Sequence, residues 1–240
     1  MGDRPVLEAR DVSFAYEADK PILESVQFRV RPRDMIAVEG PSGVGKTTLL
    51  EILGTMRQPD SGKVLIKGEE VYQGSLDDRA RIRGQYIGFV FQEALLLPDL
   101  TVWENCRMAA VLSNKNLDLT AVRDHYRELM ETLQLDPNRG DERPSQFSTG
   151  ERQRIAVVRS LISNPELLIA DEPTGNLDQN SSDRLMDLLL PLARDKDVGI
   201  LVATHDRDLS QSLDTRYLME GRKLIKQDDD QSVSEEMERS

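Results

Sequence analysis

The segment Gly40-Pro41-Ser42-Gly43-Val44-Gly45-Lys46-Thr47 constrains the chain more than any other, fitting G-x-x-x-x-G-K-[ST] at every fixed position. It follows a short apolar run, Met35-Ile36-Ala37-Val38, and leads into the helix-forming stretch Thr47 to Leu53. Strand, glycine loop and helix in that order open a doubly wound α/β fold. The glycines let the backbone curl so that successive N–H groups face an anion, and the helix adds unpaired N-terminal donors and the positive end of its dipole. Lys46 is placed to meet the β- and γ-phosphates of a nucleotide, and the Thr47 hydroxyl to ligate Mg2+. Thr48 either adds a contact to the α-phosphate or serves only as a first-turn helix residue. A chance glycine turn is the bland alternative, but the buried strand before the loop and the helix after it favour phosphate binding.

Composition sharpens this reading. Acidic residues outnumber basic ones by 43 to 31, for a net charge of −12, so the overall field repels nucleic acid and anionic lipid. A polyanion must be held by a local device, and the glycine loop is one. With 38% apolar and 31% charged residues, the chain reads as a soluble globular protein, a single domain over 1–240. Leu167-Leu168-Ile169-Ala170 and similar stretches fall far short of the ~18 residues of a membrane span. The single cysteine, Cys106, excludes a disulfide framework and a multi-cysteine zinc site. Met1-Gly2-Asp3-Arg4-Pro5 shows no apolar signal core, and a cytoplasmic location is expected.

Alternation at Val12, Phe14 and Tyr16, and again at Val26, Phe28 and Val30, predicts two strands with one buried face each, ahead of a turn at Arg31-Pro32-Arg33-Asp34. Gly62 to Val71 reads as an antiparallel excursion closed by Gly68, and Tyr86 to Phe91 as a strand ending at Gln92. From Thr101 to Leu135 the period becomes helical, with Val122, Tyr126, Leu129 and Leu133 on one face; this marks a helical insertion over roughly 95–160. His125, within it, reads as a solvated side chain. A helix over Glu151 to Ser163, a strand over Leu167 to Ala170, a helix over Ser181 to Leu190 and a strand over Ile200 to Ala203 complete the pattern. The acidic tail, roughly 227–240, reads as frayed.

Leu167 to Ala170 delivers Asp171 and Glu172 to the carboxyl end of a buried strand, where open α/β sheets bind ligands. Successive side chains on a strand point to opposite sides, so the two carboxylates suit different tasks: Asp171 toward Mg2+ and Glu172 toward an attacking water as general base. Alone, the pair is common surface punctuation; beside a phosphate loop it reads as chemistry. His205 ends another strand at the same edge, placed to report the γ-phosphate. Gln92 ends a third and is a candidate for Mg2+ or water.

Taken together, Tyr16, the phosphate loop, Gln92, Phe147-Ser148-Thr149-Gly150-Glu151, Asp171-Glu172, Asn176-Leu177-Asp178 and His205 occur in the order found in ABC transporter ATPase subunits, which the chain resembles from about Val6 to Leu224. Ile87 to Gln92, the Leu96-Leu97-Pro98 to Leu100-Thr101 run, Glu104-Asn105 and Ala170 to Asp178 resemble the branch of lipoprotein-releasing and macrolide-export ATPases. The resemblance implies an α/β P-loop core with a mostly parallel sheet, an N-terminal antiparallel β subdomain and the inserted helical subdomain. It implies an Mg-dependent ATP hydrolase in which two such subunits, expected to be a homodimer, sandwich two ATP molecules. Each ATP would lie between one subunit's phosphate loop and the other's Ser148 and Gly150. Tyr16 would stack on adenine, and Asn176-Leu177-Asp178 would cross the dimer interface. Gln92 and the helical insertion would couple closure to an integral membrane permease, docked in a groove lined by Leu97, Pro98 and Trp103.

The signature departs from the family's Leu-Ser-Gly-Gly pattern at Phe147 and Thr149. Ser148-Thr149-Gly150-Glu151 also fits a capping box, and a capped helix start still offers N–H donors to an anion. Thr149 brings a Cβ where the family backbone nears phosphate, an expected brake on closure. Two other readings carry the same loop. A nucleic-acid or ribosomal ATPase is disfavoured by the charge, the lone cysteine, the lack of sustained heptads and the single cassette; an ATP-gated clamp on an envelope protein would use identical catalytic residues. A GTPase reading fails because Asn114-Lys115-Asn116 is followed by Leu117 rather than aspartate. Substituting Lys46→Ala is expected to weaken nucleotide binding by ~1.5–3 kcal/mol, the worth of a charge-assisted hydrogen bond; unchanged affinity in a binding titration would remove Lys46 from this role.

Overall fold

The structure is a computed structural model that describes residues 4–17, 19–113 and 117–227. The acidic tail beyond Gln227 and the Asn114-Lys115-Asn116 segment lie outside the described residues.

Period-2 alternation in three short strands organises the molecule. Strands β3 (Met35–Glu39), β7 (Leu167–Asp171) and β8 (Gly199–Ala203) are almost wholly buried. Met35, Ala37, Leu168, Ala170, Ile200 and Val202 enter one apolar cluster, while Ile36, Val38, Leu167, Ile169, Leu201 and Ala203 enter the other. Both faces of these strands are therefore covered, as a central parallel sheet requires. With β6 (Ile87–Val90), β9 (Thr215–Glu220) and β10 (Lys223–Gln227) they form a six-stranded sheet in the order β10-β9-β3-β8-β7-β6. All its pairings are parallel except β10 on β9 at one edge.

A second, antiparallel sheet, β2-β1-β4-β5, covers the second cluster. It comprises β1 (Leu7–Glu17), β2 (Lys20–Val30), β4 (Ser61–Ile66) and β5 (Glu69–Glu70). Register shifts along β1 and β2 bend the end of β1, so that Val12 and Phe14 are buried while Tyr16 is exposed. Helix α1 (Lys46–Leu53) packs Leu49, Leu50, Ile52 and Leu53 into the same cluster.

On the opposite face, α3 (Val102–Ser113), α4 (Leu119–Thr132) and α5 (Thr149–Leu161) supply much of the first cluster. The helical stretch expected over Thr101 to Leu135 holds the two helices α3 and α4. Asp118 caps the second by accepting from the N–H groups of Thr120 and Ala121.

Two helices and a hairpin escaped the sequence reading. Helix α2 (Leu76–Tyr86) buries only Ile82 and has no apolar stripe to betray it; a capping box between Ser75 and Asp78 marks its start. Strands β9 and β10 form a hairpin whose residues are mostly half-exposed. Helix α6 (Gln179–Asp195) runs past the expected end at Leu190, through Pro191. Proline removes one backbone donor, but Pro191 and Asp187, four residues earlier, are both exposed, so water can satisfy the freed carbonyl. A short helix α7 (Arg207–Gln211) follows β8. Among the described residues, no helix is long and apolar enough to cross a membrane.

Helix α5 lies against β6 closely enough that a Cβ built on Gly88 would stand 2.4 Å from the Ser160 carbonyl oxygen. Gly88→Ala should destabilise the fold by ~1–3 kcal/mol through overpacking, read as a lowered denaturation midpoint with an unchanged slope.

Candidate nucleotide site

The loop between β3 and α1 adopts the curl that its glycines permit. Gly43 and Gly45 have φ of 78° and 112°, in the region that L side chains rarely enter. At Gly45 space is short as well, since a Cβ would meet Ile22 Cγ2 at 2.5 Å. Gly45 occupies the N-cap position of α1 and offers no side-chain acceptor, so the first-turn N–H groups remain available to a ligand. Lys46, only 7% exposed, donates to the Gly40 carbonyl at 2.7 Å and stands 3.5 Å from Glu172 Oε1.

Glu172 is the centre of this edge. Its φ of 47° is a left-handed conformation that few residues other than glycine adopt, fixed by donation from its N–H to the Ala203 carbonyl at 2.9 Å. This turn aims the side chain, 15% exposed, between Lys46 and His205. Its Oε2 lies 2.9 Å from His205 Nδ1 and accepts from the His205 N–H at 3.3 Å. His205 itself is largely exposed. The three residues expected to act together are thus in one contact chain, contributed by the start of α1 and the turns that follow β7 and β8.

Asp171, before it, lies within hydrogen-bonding reach of the Thr47 hydroxyl. Burial pushes its carboxyl above the ordinary range; the Thr47 hydrogen bond opposes this, the Glu172 charge adds to it, and the Lys46 charge opposes it. A half-buried carboxylate beside a hydroxyl is an oxygen donor set suited to Mg2+, which binds few carboxylates and completes its shell with phosphate and water.

Tyr16 stands at the same end of the molecule. Its hydroxyl is 3.0 Å from Thr48 Oγ1, which gives Thr48 a place in holding Tyr16.

Gln92 does not touch the Lys46–Glu172–His205 chain. Its side-chain amide donates to Asn176 Oδ1 at 3.4 Å, and Asn176 Nδ2 donates to the Gln92 carbonyl at 3.2 Å. Leu177 packs inward against the first cluster, and Asp178 caps α6 by accepting from the Ser181 N–H and hydroxyl.

Ser148 caps α5, accepting from the Glu151 N–H at 3.2 Å while Glu151 Oε2 accepts from the Ser148 N–H and hydroxyl, each at 2.8 Å. These bonds, the backbone one first, hold the Glu151 carboxyl below its usual value. The two departures in the signature each face an arginine. The Arg139 guanidinium lies 4.0 Å from the centre of the buried Phe147 ring, and Arg152 donates to Thr149 Oγ1 at 3.1 Å and to the Phe147 carbonyl at 2.6 Å. The closest side chains around Gly150 are Ser181 and Arg154, so neither Ser148 nor Gly150 meets the phosphate loop of its own chain through these contacts.

Sequence reading passed over Gln153 and misjudged two positions. Gln153 is buried, and its amide donates to the Phe91 carbonyl at 2.8 Å and the Pro173 carbonyl at 2.9 Å, joining α5 to the residues just before Gln92 and just after Glu172. No motif flags it; only its place one turn inside the capped helix could have. Asn105, fully buried, bonds Leu97 through both its N–H and its carbonyl and also reaches the carbonyls of Leu100 and Thr101. The loop it shapes exposes Leu95 and Leu97. Trp103, expected with Leu97 and Pro98 in an open groove, instead packs edge-on to Tyr126 with Arg123 over its ring, because α4 closes against that side of α3. His125 is not solvated: its side chain is 15% exposed and its Nδ1 lies 3.3 Å from Glu128 Oε2, which also receives Lys196 on Oε1.

A P-loop ATPase is the class that this sheet edge defines. The sequence pattern of the ABC transporter family matches residues 23–175, and the chain belongs to that family as an ATP-binding, ATP-hydrolysing subunit of its lipoprotein-releasing branch. It is 39% identical over 217 residues to the lipoprotein-releasing system ATP-binding protein LolD of Shewanella oneidensis, covering 89% of this chain and 93% of that one. LolD of Shewanella sp. strain MR-7 is 38% identical with the same coverage. Among solved structures, the dimeric post-hydrolysis state of the cassette MJ0796 bound to ADP and Pi superposes with a TM-score of 0.82 at 27% identity, over 91% of this chain and 96% of that one.

Gln153→Met, which keeps the volume and removes the donor, leaves two buried carbonyls without this partner. A loss of ~1–3 kcal/mol in unfolding free energy is expected, and a larger loss in Gln153→Glu, which sets a buried carboxylate against the two carbonyl oxygens.

Proposed function

We propose that two copies of this chain close around two ATP molecules and that closure works an integral membrane partner of the lipoprotein-releasing type. The observation that carries the catalytic part is the contact chain Lys46–Glu172–His205 at the mouth of the phosphate loop. Lys46 would exchange its contacts with the Gly40 carbonyl and Glu172 for the β- and γ-phosphates. That exchange releases Glu172 Oε1 to accept a proton from the attacking water as general base. His205 Nδ1 donates to an ionised Glu172, so Nε2 can donate to the γ-phosphate only as imidazolium or after the Nδ1 bond breaks. Thr47 and Asp171 would hold Mg2+, with Gln92 reaching it or the water once freed from Asn176. The bound ion would supply charge stabilisation to the transferring phosphoryl group.

The dimeric reading is supported by the dimeric cassettes that the fold resembles and by Ser148 and Gly150, which would serve the partner copy's nucleotide with the N–H groups of the capped α5. Asn176-Leu177-Asp178 would lie at the same interface. The membrane partner would meet the exposed Leu95 and Leu97, with Pro98, and the outward Met108 and Leu112 of α3. A location at the inner face of the cell membrane, through that partner, follows from this arrangement.

Glu172→Gln should retain ATP binding, lower hydrolysis by ~10²–10⁴-fold and accumulate closed dimers on size-exclusion chromatography with ATP. Turnover equal to the native chain's would take the base role away from Glu172.

A further inference from the structure

Arg57 has no place in the chemistry above, yet it is held from three directions. The Tyr72 hydroxyl bonds the carbonyls of Ile52 at 2.6 Å and Arg57 at 2.5 Å, fixing the backbone after α1. Glu51 accepts from the Arg57 Nε at 2.6 Å and directs the planar guanidinium. The guanidinium carbon then lies 4.9 Å from the centre of the Tyr16 ring and 5.3 Å from that of Phe14. Phe14 in turn meets Tyr16 edge-on, with centroids 5.1 Å apart.

The order of these contacts along α1 gives Tyr16 two differently treated sides. Thr48, which holds the Tyr16 hydroxyl at 3.0 Å, lies in the first turn beside the phosphate loop. Glu51, which holds Arg57, lies one turn further from the loop. The guanidinium that Glu51 holds lies over the Tyr16 ring. The residue remains 56% exposed, so ring surface that neither contact covers is left for a flat group.

From this arrangement we infer that Arg57 is a positioning residue for the nucleobase: it backs the Tyr16 ring so that base, tyrosine and guanidinium form a three-layer stack. The inference rests on the reading of Tyr16 as the residue that stacks on adenine. Two physical effects act together. A cation over an aromatic face is attracted by the ring's quadrupole, and a ring fixed in plane before the base arrives loses less freedom on binding. Because Glu51 neutralises Arg57 locally, the arginine's charge contributes little at the triphosphate. Its effect belongs to the base end of the ligand.

The test compares ATP with inorganic tripolyphosphate, each titrated with magnesium into the full-length chain. Arg57→Ala and Arg57→Gln should both weaken ATP about two- to fivefold and leave tripolyphosphate affinity unchanged, which also certifies that the loop is folded. Arg57→Lys should recover part of the loss. In a Tyr16→Ala background, Arg57→Ala should add nothing, since the ring through which it acts is gone. If Tyr16→Ala weakens ATP and the Arg57 variants do not, the inference falls and the stacking reading stands. Equal weakening of ATP and tripolyphosphate would make Arg57 a general structural residue and overturn the inference. Should Tyr16→Ala leave the preference for ATP over tripolyphosphate intact, both readings fall together.

Discussion

The buried approach of Lys46 to Glu172 is the contact on which the site depends. An ammonium and a carboxylate this far from solvent are stable only when each has further partners, and the fold supplies them: the Gly40 carbonyl for the lysine, His205 for the glutamate. Bringing them together requires three segments distant in sequence to end at one edge of one sheet. The alternating apolar residues of β3, β7 and β8 achieve this, because any slip by one residue would invert their faces and move the carboxylates off the edge. Packing in the two clusters is thus what sets the chemistry.

Much of this was legible beforehand. The phosphate loop, the two carboxylates and His205 are announced by short apolar strands ending in polar residues, and a strand buried on both faces has little freedom about where it ends. Less legible were features whose signal is not apolar. Helix α2 is held by a capping box and one buried isoleucine, and the β9–β10 hairpin presents no clean alternation. Trp103 and His125 were misjudged for a related reason: a helical period shows which face is apolar but not which neighbour covers the rest, and α4 and Lys196 decide that here. Gln153 and Asn105 were invisible as function because a single buried amide looks in sequence like any surface amide.

The signature segment shows how a family pattern can vary without losing its form. Phe147 is wider than leucine and lies under the Arg139 guanidinium, which also receives Glu151 and Glu142. Thr149 has a hydroxyl that Arg152 engages. Both departures are absorbed by arginines already tied to the same turn, so Ser148 keeps its capping geometry and α5 its start. The Gln153 side-chain amide then ties that helix to the main chain just beyond β6 and β7 at once, which links the signature to the edge that carries Glu172.

The loop preceding α3 carries a different consequence. Its path is held by two side chains: Asn105 grips the main chain at Leu97, Leu100 and Thr101, and Arg159 donates to the carbonyls of Ala94 and Leu95, while the side chains of Leu95 and Leu97 face outward. Frame and outward surface are therefore encoded in separate side chains. Such a division would let the outward leucines be replaced without any rebuilding of the scaffold beneath them.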